Sequence, residues 1–238
     1  MLTWAFLMNT LASIERALFG SAPNRLNSRY QALIESNSDC ILDCSILDLA
    51  SHDTRWSFAA LKAGARHVLG IEARQSLVDA ALNTLRLTGI SPEKFTFIGD
   101  DVYHHLPKVQ PGSIDTVFCF GFFYHTLHHQ LLLGSIAALK PRHLLLDTSV
   151  FQSDDAVIHV RAEPTNNPAN AFPSSVDRMN TSLVGYPSRR AIELMLTNLG
   201  FHFRYFDWRS MPVENWDSIE DYRDGHRISL RADLQTVK

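Results

Sequence analysis

From residue 44 onward, short apolar runs alternate with helical patterns along the chain. Cys44–Leu49 (CSILDL) reads as a buried strand, and Trp56–Ala63 as the helix after it, ending at Gly64. His67–Ile71 (HVLGI) is a second strand. In the helix that follows, Leu77, Val78, Ala81, Leu82 and Leu85 make one apolar face. Ser76 with Asp79 predicts a start box there, and Gly89 a stop. Phe95–Ile98 (FTFI), Asp115–Phe120 (DTVFCF) and His143–Leu146 (HLLL) are strands three to five, with a helical stretch over Gln130–Leu139 between the last two. Strands buried on both faces are apolar at nearly every position, as these are. Strand–helix alternation implies a mostly parallel sheet with helices on both sides, so the predicted fold class is α/β, doubly wound.

The flanks follow different patterns. Leu7, Leu11, Ile14 and Leu18 recur at helical spacing, so residues 1–40 are expected to form an N-terminal helical cap. Its amphipathic helix suits docking on the core, a homodimer contact or a lid equally by pattern. The first twenty residues lack a basic start, and Asn9, Glu15 and Arg16 interrupt them, which supports neither a signal peptide nor a membrane span. After Val150 the alternation stops. Residues 151–186 are polar and rich in Asn, Pro and Ser, and are expected to be a long loop with a task such as covering a site. Pro187 and Ser188 then open a helix with Ile192, Met195 and Leu199 on one face and Gly200 beyond its end. Phe201–Phe206 and Ile228–Ala232 predict two antiparallel edge strands. With no repeat or linker, 1–238 is read as one domain, with its core in 44–150 and the rest of the sheet in 187–238.

Composition narrows the classes. Hydrophobic residues are 45% of the 238 and charged residues 20%, enough for a single large core. The net charge of −3 and the lack of a Lys/Arg run argue against nucleic acid as the main partner. Cys40, Cys44 and Cys119 are odd in number and form no CxxC pair, so neither a disulfide framework nor a structural zinc is expected, and a cytoplasmic setting fits. The GxGxxG fingerprint of nicotinamide-binding folds is missing.

In doubly wound sheets, ligands bind beyond the carboxyl ends of the strands, near the point where strand order reverses. Strand one ends in Asp48-Leu49-Ala50-Ser51-His52-Asp53-Thr54, strand two in Glu72-Ala73, and strand three in Gly99-Asp100-Asp101. This ordered set resembles the class I S-adenosylmethionine-dependent methyltransferases. The likeness covers roughly residues 44–150 and continues more weakly to Gly200. It implies S-adenosyl-L-methionine as cofactor. Asp48, Ala50, Ser51 and His52 would surround the methionine end, and Glu72, with Ala73 beside it, would take the ribose hydroxyls. Asp100 would take the adenine amino group, with Asp101 beside it. Taken alone, such carboxylates also serve commonly as helix caps. The chain departs from the family by placing Ala50, His52 and Thr54 where glycines are usual, and glycine permits positive φ and close backbone approach. Just before strand one, Arg29 suits the cofactor carboxylate and Tyr30 the sulfonium. A docked helix with a solvated Arg29 and a core Tyr30 fits the same pattern.

Strand four runs through Phe120 and Gly121 into Phe122-Phe123-Tyr124-His125-Thr126-Leu127-His128-His129. The stretch VFCFGFFYH is similar to that of methyltransferases acting on hydroxyl groups, among them sugar-modifying enzymes and the tRNA wobble-uridine group. The resemblance implies that Phe120 and Gly121 border the cofactor and that the Tyr124-His125 pair borders the acceptor. A hydroxyl titrates far above neutrality, so a base that removes its proton assists, and histidine is the natural candidate. The expected catalytic set is His125 as base with Tyr124 beside it, and His128 or His129 as orienter; a packing role is the plain alternative. His125, His128, His129, Asp147 and Glu163 also offer N and O ligands to a divalent metal, a reading less favoured than the metal-free one. Arg161, Glu163, Asn166, Asn167, Arg178 and Asn180 suit either a polyhydroxylated substrate or an ordinary surface loop. The expected function is therefore O-methylation of a small hydroxylated acceptor, with a sugar as the leading case. A tRNA-modifying enzyme is one alternative, against which the acidic stretch 214–224 stands. A non-catalytic scaffold of the same fold is the other.

Overall fold

The computed structural model describes residues 23–167, 169–173, 180–211, 213 and 215–235. The predicted N-terminal helix with Leu7, Leu11, Ile14 and Leu18 lies outside the described residues, as does Arg178. The chain enters through helix α1 (Pro23–Leu33) and a 3-10 segment, Glu35–Cys40. Four strand–helix units and a fifth strand follow: β1 (Ser45–Leu49), α2 (Arg55–Lys62), β2 (His67–Glu72), α3 (Gln75–Leu87), β3 (Phe95–Gly99), α4 (Val102–His105), β4 (Thr116–Phe120), α5 (His129–Ala138) and β5 (His143–Ser149). A hairpin of β6 (Ile158–Pro164) and β7 (Thr181–Pro187) precedes α6 (Arg189–Asn198), β8 (Phe201–Tyr205), α7 (Glu220–Arg223) and β9 (Arg227–Leu234).

The main sheet has seven strands in the order β3-β2-β1-β4-β5-β9-β8. Strands β1 to β5 are parallel, and β9 runs antiparallel to both β5 and β8. Strand order reverses between β1 and β4, which fixes where a ligand crevice can open. The two-residue period of a strand sorts side chains between two cores. Ile46, Phe118, Phe120 and Leu145 face α2 and α3, packing with Phe58, Val78, Ala81 and Leu85. Leu47, Leu49, Val117, Cys119, Leu144 and Leu146 face the other way, onto Leu132, Leu133 and Ile136 of α5 and Ile192 and Leu196 of α6. All three cysteines are buried and free. Among the described residues no helix is long and apolar enough to cross a membrane.

Two local expectations are corrected. Residues 151–186 are not a long loop throughout, because they contain the antiparallel β6–β7 pair, registered from Ile158↔Pro187 to Pro164↔Thr181. Most of β6 is exposed on both faces, so no apolar alternation marks it. Ser76 and Asp79 form no start box. Helix α3 begins at Gln75 with Arg74 as its N-cap and no capping side chain. Glu72 has already taken the Arg74 amide, and Asp79 accepts from Gln75 instead, at 2.9 Å. Gly89 does follow the helix, at φ +74°.

Candidate active site

The carboxyl ends of β1, β2 and β4, roofed by β7 and the segment leading to it, enclose a cleft of about 1510 Å³. A typical small-molecule site takes roughly 300–1,000 Å³, so there is room here for two ligands.

One half is built on the β1 turn. Ala50, His52 and Thr54 stand at φ +52°, +48° and +63°, so the left-handed geometry usually given to glycines is kept by residues that have a Cβ. That conformation costs roughly 1–2 kcal/mol per residue. The turn is tied down to offset it: the Ser51 amide donates to Ile71 O at 3.0 Å and the Thr54 amide to Ser51 O at 2.8 Å. We expect Ala50→Gly, which loses only a methyl, to raise stability by about 0.5–1 kcal/mol. Thermal melts would show this as a gain of about 1–4 °C, and an unchanged or lower Tm would mean that the methyl's packing outweighs the strain.

Glu72, 3% exposed at the end of β2, faces this turn across the cleft. Its Oε2 accepts the His52 amide at 3.0 Å and its Oε1 the Arg74 amide at 2.9 Å, so both oxygens are held in place with a lone pair each to spare. Asp48 is fully buried, accepts the Ser57 hydroxyl, and is pushed up to about 7 by burial. Ser51 Oγ and Arg29 Nε are buried polar atoms without partners among the described residues, and both residues line the cleft. Two orphaned groups at the methionine end of the expected pocket are what a polar cofactor would satisfy.

The β3 turn rearranges one expectation. Asp100 turns away from the cleft to His104 at 2.8 Å, Lys108 at 3.0 Å and His105 at 3.2 Å, and these hold its carboxyl well below the ordinary range. Asp101 lines the cleft in its place while capping α4 through the Tyr103 and His104 amides. Tyr30 likewise leaves the site and packs on the α2–α3 core, because adjacent residues of a helix point about 100° apart and Arg29 takes the cleft-facing position. Arg29, Asp48, Ala50, Ser51, His52, Glu72, Ala73, Phe120 and Gly121 all line the cleft.

The other half surrounds His125. Its Nδ1 lies 2.8 Å from Glu163 Oε2, delivered by β6. An ionised carboxylate only accepts, so Nδ1 carries the proton and Nε2 keeps the free lone pair. Glu163 is fixed by the Ala171 amide at 3.2 Å and the Tyr186 hydroxyl at 3.3 Å. Burial pushes the His125 imidazole below its usual value; Glu163 opposes this, while Arg227 and Arg74 reinforce it. The Tyr124 ring packs 4.1 Å from the His125 ring. The hydrogen-bond partner of His125 is thus Glu163. His128 packs edge-on against Tyr103 at the rim, and His129 is buried with Nε2 3.0 Å from Gly185 O.

Nor do the candidate metal ligands converge. Among the described residues no group of three His, Cys, Asp or Glu side chains is placed to hold an ion. Asp147 is committed elsewhere: its Oδ1 accepts from Arg29 Nη2 at 2.9 Å and from Arg227 Nε at 2.7 Å and Nη2, and its Oδ2 from Tyr222 at 2.8 Å and Ser229 at 2.7 Å. Sequence reasoning missed Arg227 as a site residue. It heads β9, the strand between β5 and β8, where Ser229, Arg231 and Asp233 are polar too, so nothing in the pattern singled it out. Of the polar 151–186 residues, Asn170 and Ser182 line the cleft, Glu163 reaches it through His125, and Arg161 stacks over Tyr186 at 4.8 Å.

No family model matches the sequence, and no curated protein matches it. Solved structures do match in fold. The N-terminal domain of EvdMO1 with S-adenosylhomocysteine bound is similar at 16% identity over 84% of this chain and 79% of that one, with a TM-score of 0.65. Magnesium protoporphyrin IX methyltransferase from Synechocystis PCC 6803 with bound S-adenosylmethionine matches at 15% identity over 94% and 90%, TM-score 0.58. An S-adenosylmethionine dependent methyltransferase from Mesorhizobium loti matches at 14% identity over 81% and 92%, TM-score 0.56. The shared architecture is the Rossmann-like class I methyltransferase fold.

Proposed function

We propose that this chain is an S-adenosylmethionine-dependent O-methyltransferase whose acceptor is a hydroxyl of a small polar, sugar-like metabolite. The observation that carries the reading is the two-part cleft: a held carboxylate, Glu72, opposite a glycine-like turn, and a carboxylate-oriented imidazole, His125, in the adjoining half. The neighbours solved with S-adenosylhomocysteine or S-adenosylmethionine support the cofactor, and the EvdMO1 domain crystallised in the presence of D-fucose supports looking first at sugars.

When bound, the cofactor supplies an electrophilic methyl group on a sulfonium. Glu72 would accept hydrogen bonds from the ribose hydroxyls and Asp101 one from the adenine amino group, and Arg29 with the Ser51 hydroxyl would hold the methionine carboxylate. The chain's own part would be to hold the acceptor hydroxyl in the adjoining half of the cleft, beside His125. The hydroxyl proton passes to His125 Nε2, and Glu163 stabilises the imidazolium that results. Calorimetric titration with S-adenosylhomocysteine tests the assignment: micromolar binding is expected, and a folded protein that gives no binding heat moves the scaffold reading to the front. The tRNA alternative predicts a salt-sensitive gel shift with tRNA.

A further inference from the structure

The Arg29–Asp147–Arg227 group carries two cations against one anion. Arg227 is 6% exposed and Asp147 not at all. Neighbouring guanidiniums have carboxylates of their own, Arg25 with Asp221 at 2.8 Å and Arg55 with Asp53. The surplus of one positive charge is therefore local to this wall, and a buried charge without a counter-charge is costly. Arg29 and Arg227 both face the cleft.

The cofactor does not remove the surplus. Its methionine end is a zwitterion and its sulfonium is positive, so loading it adds a positive charge to the same cleft. Arg29 stands over Trp56, with its ring at 4.8 Å, on the cofactor side. Arg227 stands on the other. A Cβ on Gly121 would lie 3.5 Å from its Nη2, and its guanidinium is 5.6 Å from the Tyr124 ring, which in turn packs on His125. Arg227 spends three of its five N–H groups: Nε–H on Asp147 and Tyr222, one Nη2–H on Asp147, and one Nη1–H on Ser149 at 3.3 Å. Among the described residues, one N–H on each terminal nitrogen is left for a ligand, the paired geometry that suits a carboxylate or phosphate.

We propose that the methyl acceptor is an anion whose carboxylate or phosphate seats on Arg227, which places its hydroxyl along Tyr124 toward His125. This rests on the methyltransferase reading above and narrows its acceptor to charged hydroxylated metabolites. An acceptor of this kind offsets both the buried surplus and the sulfonium.

The test is an NMR titration of the chain saturated with S-adenosylhomocysteine, at fixed ionic strength, with acetate, inorganic phosphate and acetamide. The Arg227 Nε–H and Gly121 amide signals are followed. Saturable shifts with at least one anion and none with acetamide are expected, and the stronger of the two identifies the group. Arg227→Gln is expected to weaken that binding by about tenfold or more, with S-adenosylhomocysteine affinity held within about twofold because Arg29 remains. The proposal falls if neither anion binds, if the variant binds as well as the wild type, or if anion binding disappears on adding S-adenosylhomocysteine, which would assign the site to the methionine carboxylate. Should Arg227→Gln fail to fold by circular dichroism, Arg227→Lys, which keeps the charge without the fork, and the acetate–acetamide contrast in the wild type decide. If S-adenosylhomocysteine itself does not bind, the methyltransferase reading has failed, and the same titration of the free chain still shows whether Arg227 holds an anion.

Discussion

Replacing Glu72 with alanine is expected to weaken S-adenosylhomocysteine binding about 100-fold or more. Two charge-assisted hydrogen bonds from ribose hydroxyls contribute roughly 1.5–3 kcal/mol each, and each 1.4 kcal/mol is a factor of ten in affinity. The substitution also removes the acceptor for the His52 and Arg74 amides, at 3.0 and 2.9 Å, so the turn that carries Ala50 and Ser51 loses its anchor. Leaving those donors unpaired costs stability as well, about 1–3 kcal/mol for each one that stays buried. The two effects separate in Glu72→Gln, whose amide oxygen accepts one backbone N–H while the charge is gone. Its melting temperature should recover toward that of wild type while its affinity does not. Calorimetry and melting curves on the two variants check this, and an affinity within threefold of wild type in Glu72→Ala would remove Glu72 from the cofactor site.

What the sequence made legible here depended on periodicity. The five parallel strands and their order of turns could be read because β1, β4 and β5 are buried on both faces and each carries a short apolar run, such as Leu144–Leu146. The hairpin could not, because its first strand exposes Ile158 and Val160 and buries none of its residues. That hairpin carries Glu163 and Tyr186, so the missed element hid the partner of His125. Asp100 was misassigned for a related reason. Two adjacent aspartates in a turn point in different directions, and only the positions of His104, His105 and Lys108 on the following turn decide which is drawn outward. In the first turn the composition misled in the other direction: the missing glycines suggested a lost geometry, whereas Ala50, His52 and Thr54 adopt it. Backbone conformation there is set by the hydrogen bonds to Ile71 and Ser51, which residue type alone does not reveal.

His125→Ala should lower kcat by about 10²–10⁴-fold, the usual contribution of a positioned general base, which is about 3–5 kcal/mol of transition-state stabilisation. Cofactor affinity should hold, since Glu72, Ser51 and Arg29 lie in the other half of the cleft. The pH profile carries the sharper test. The imidazole is pushed below its ordinary value, first by burial and then by the cations Arg227 and Arg74, so the free base is already present at neutral pH. The wild-type rate should therefore rise through an acidic limb below the usual histidine range and be flat above it. Glu163 pulls the other way, and Glu163→Gln removes a charge that favours the protonated form. In that variant the acidic limb should move to still lower pH while the plateau rate drops, because the imidazolium formed on proton transfer has lost its counter-charge. A purely structural Glu163 would lower the plateau without moving the limb. A His125→Ala enzyme that turns over within about tenfold of wild type, below the usual range of general-base effects, would mean that the acceptor reacts already ionised. In that case Arg227, which favours an oxyanion in the same half of the cleft, would take over the main catalytic contribution.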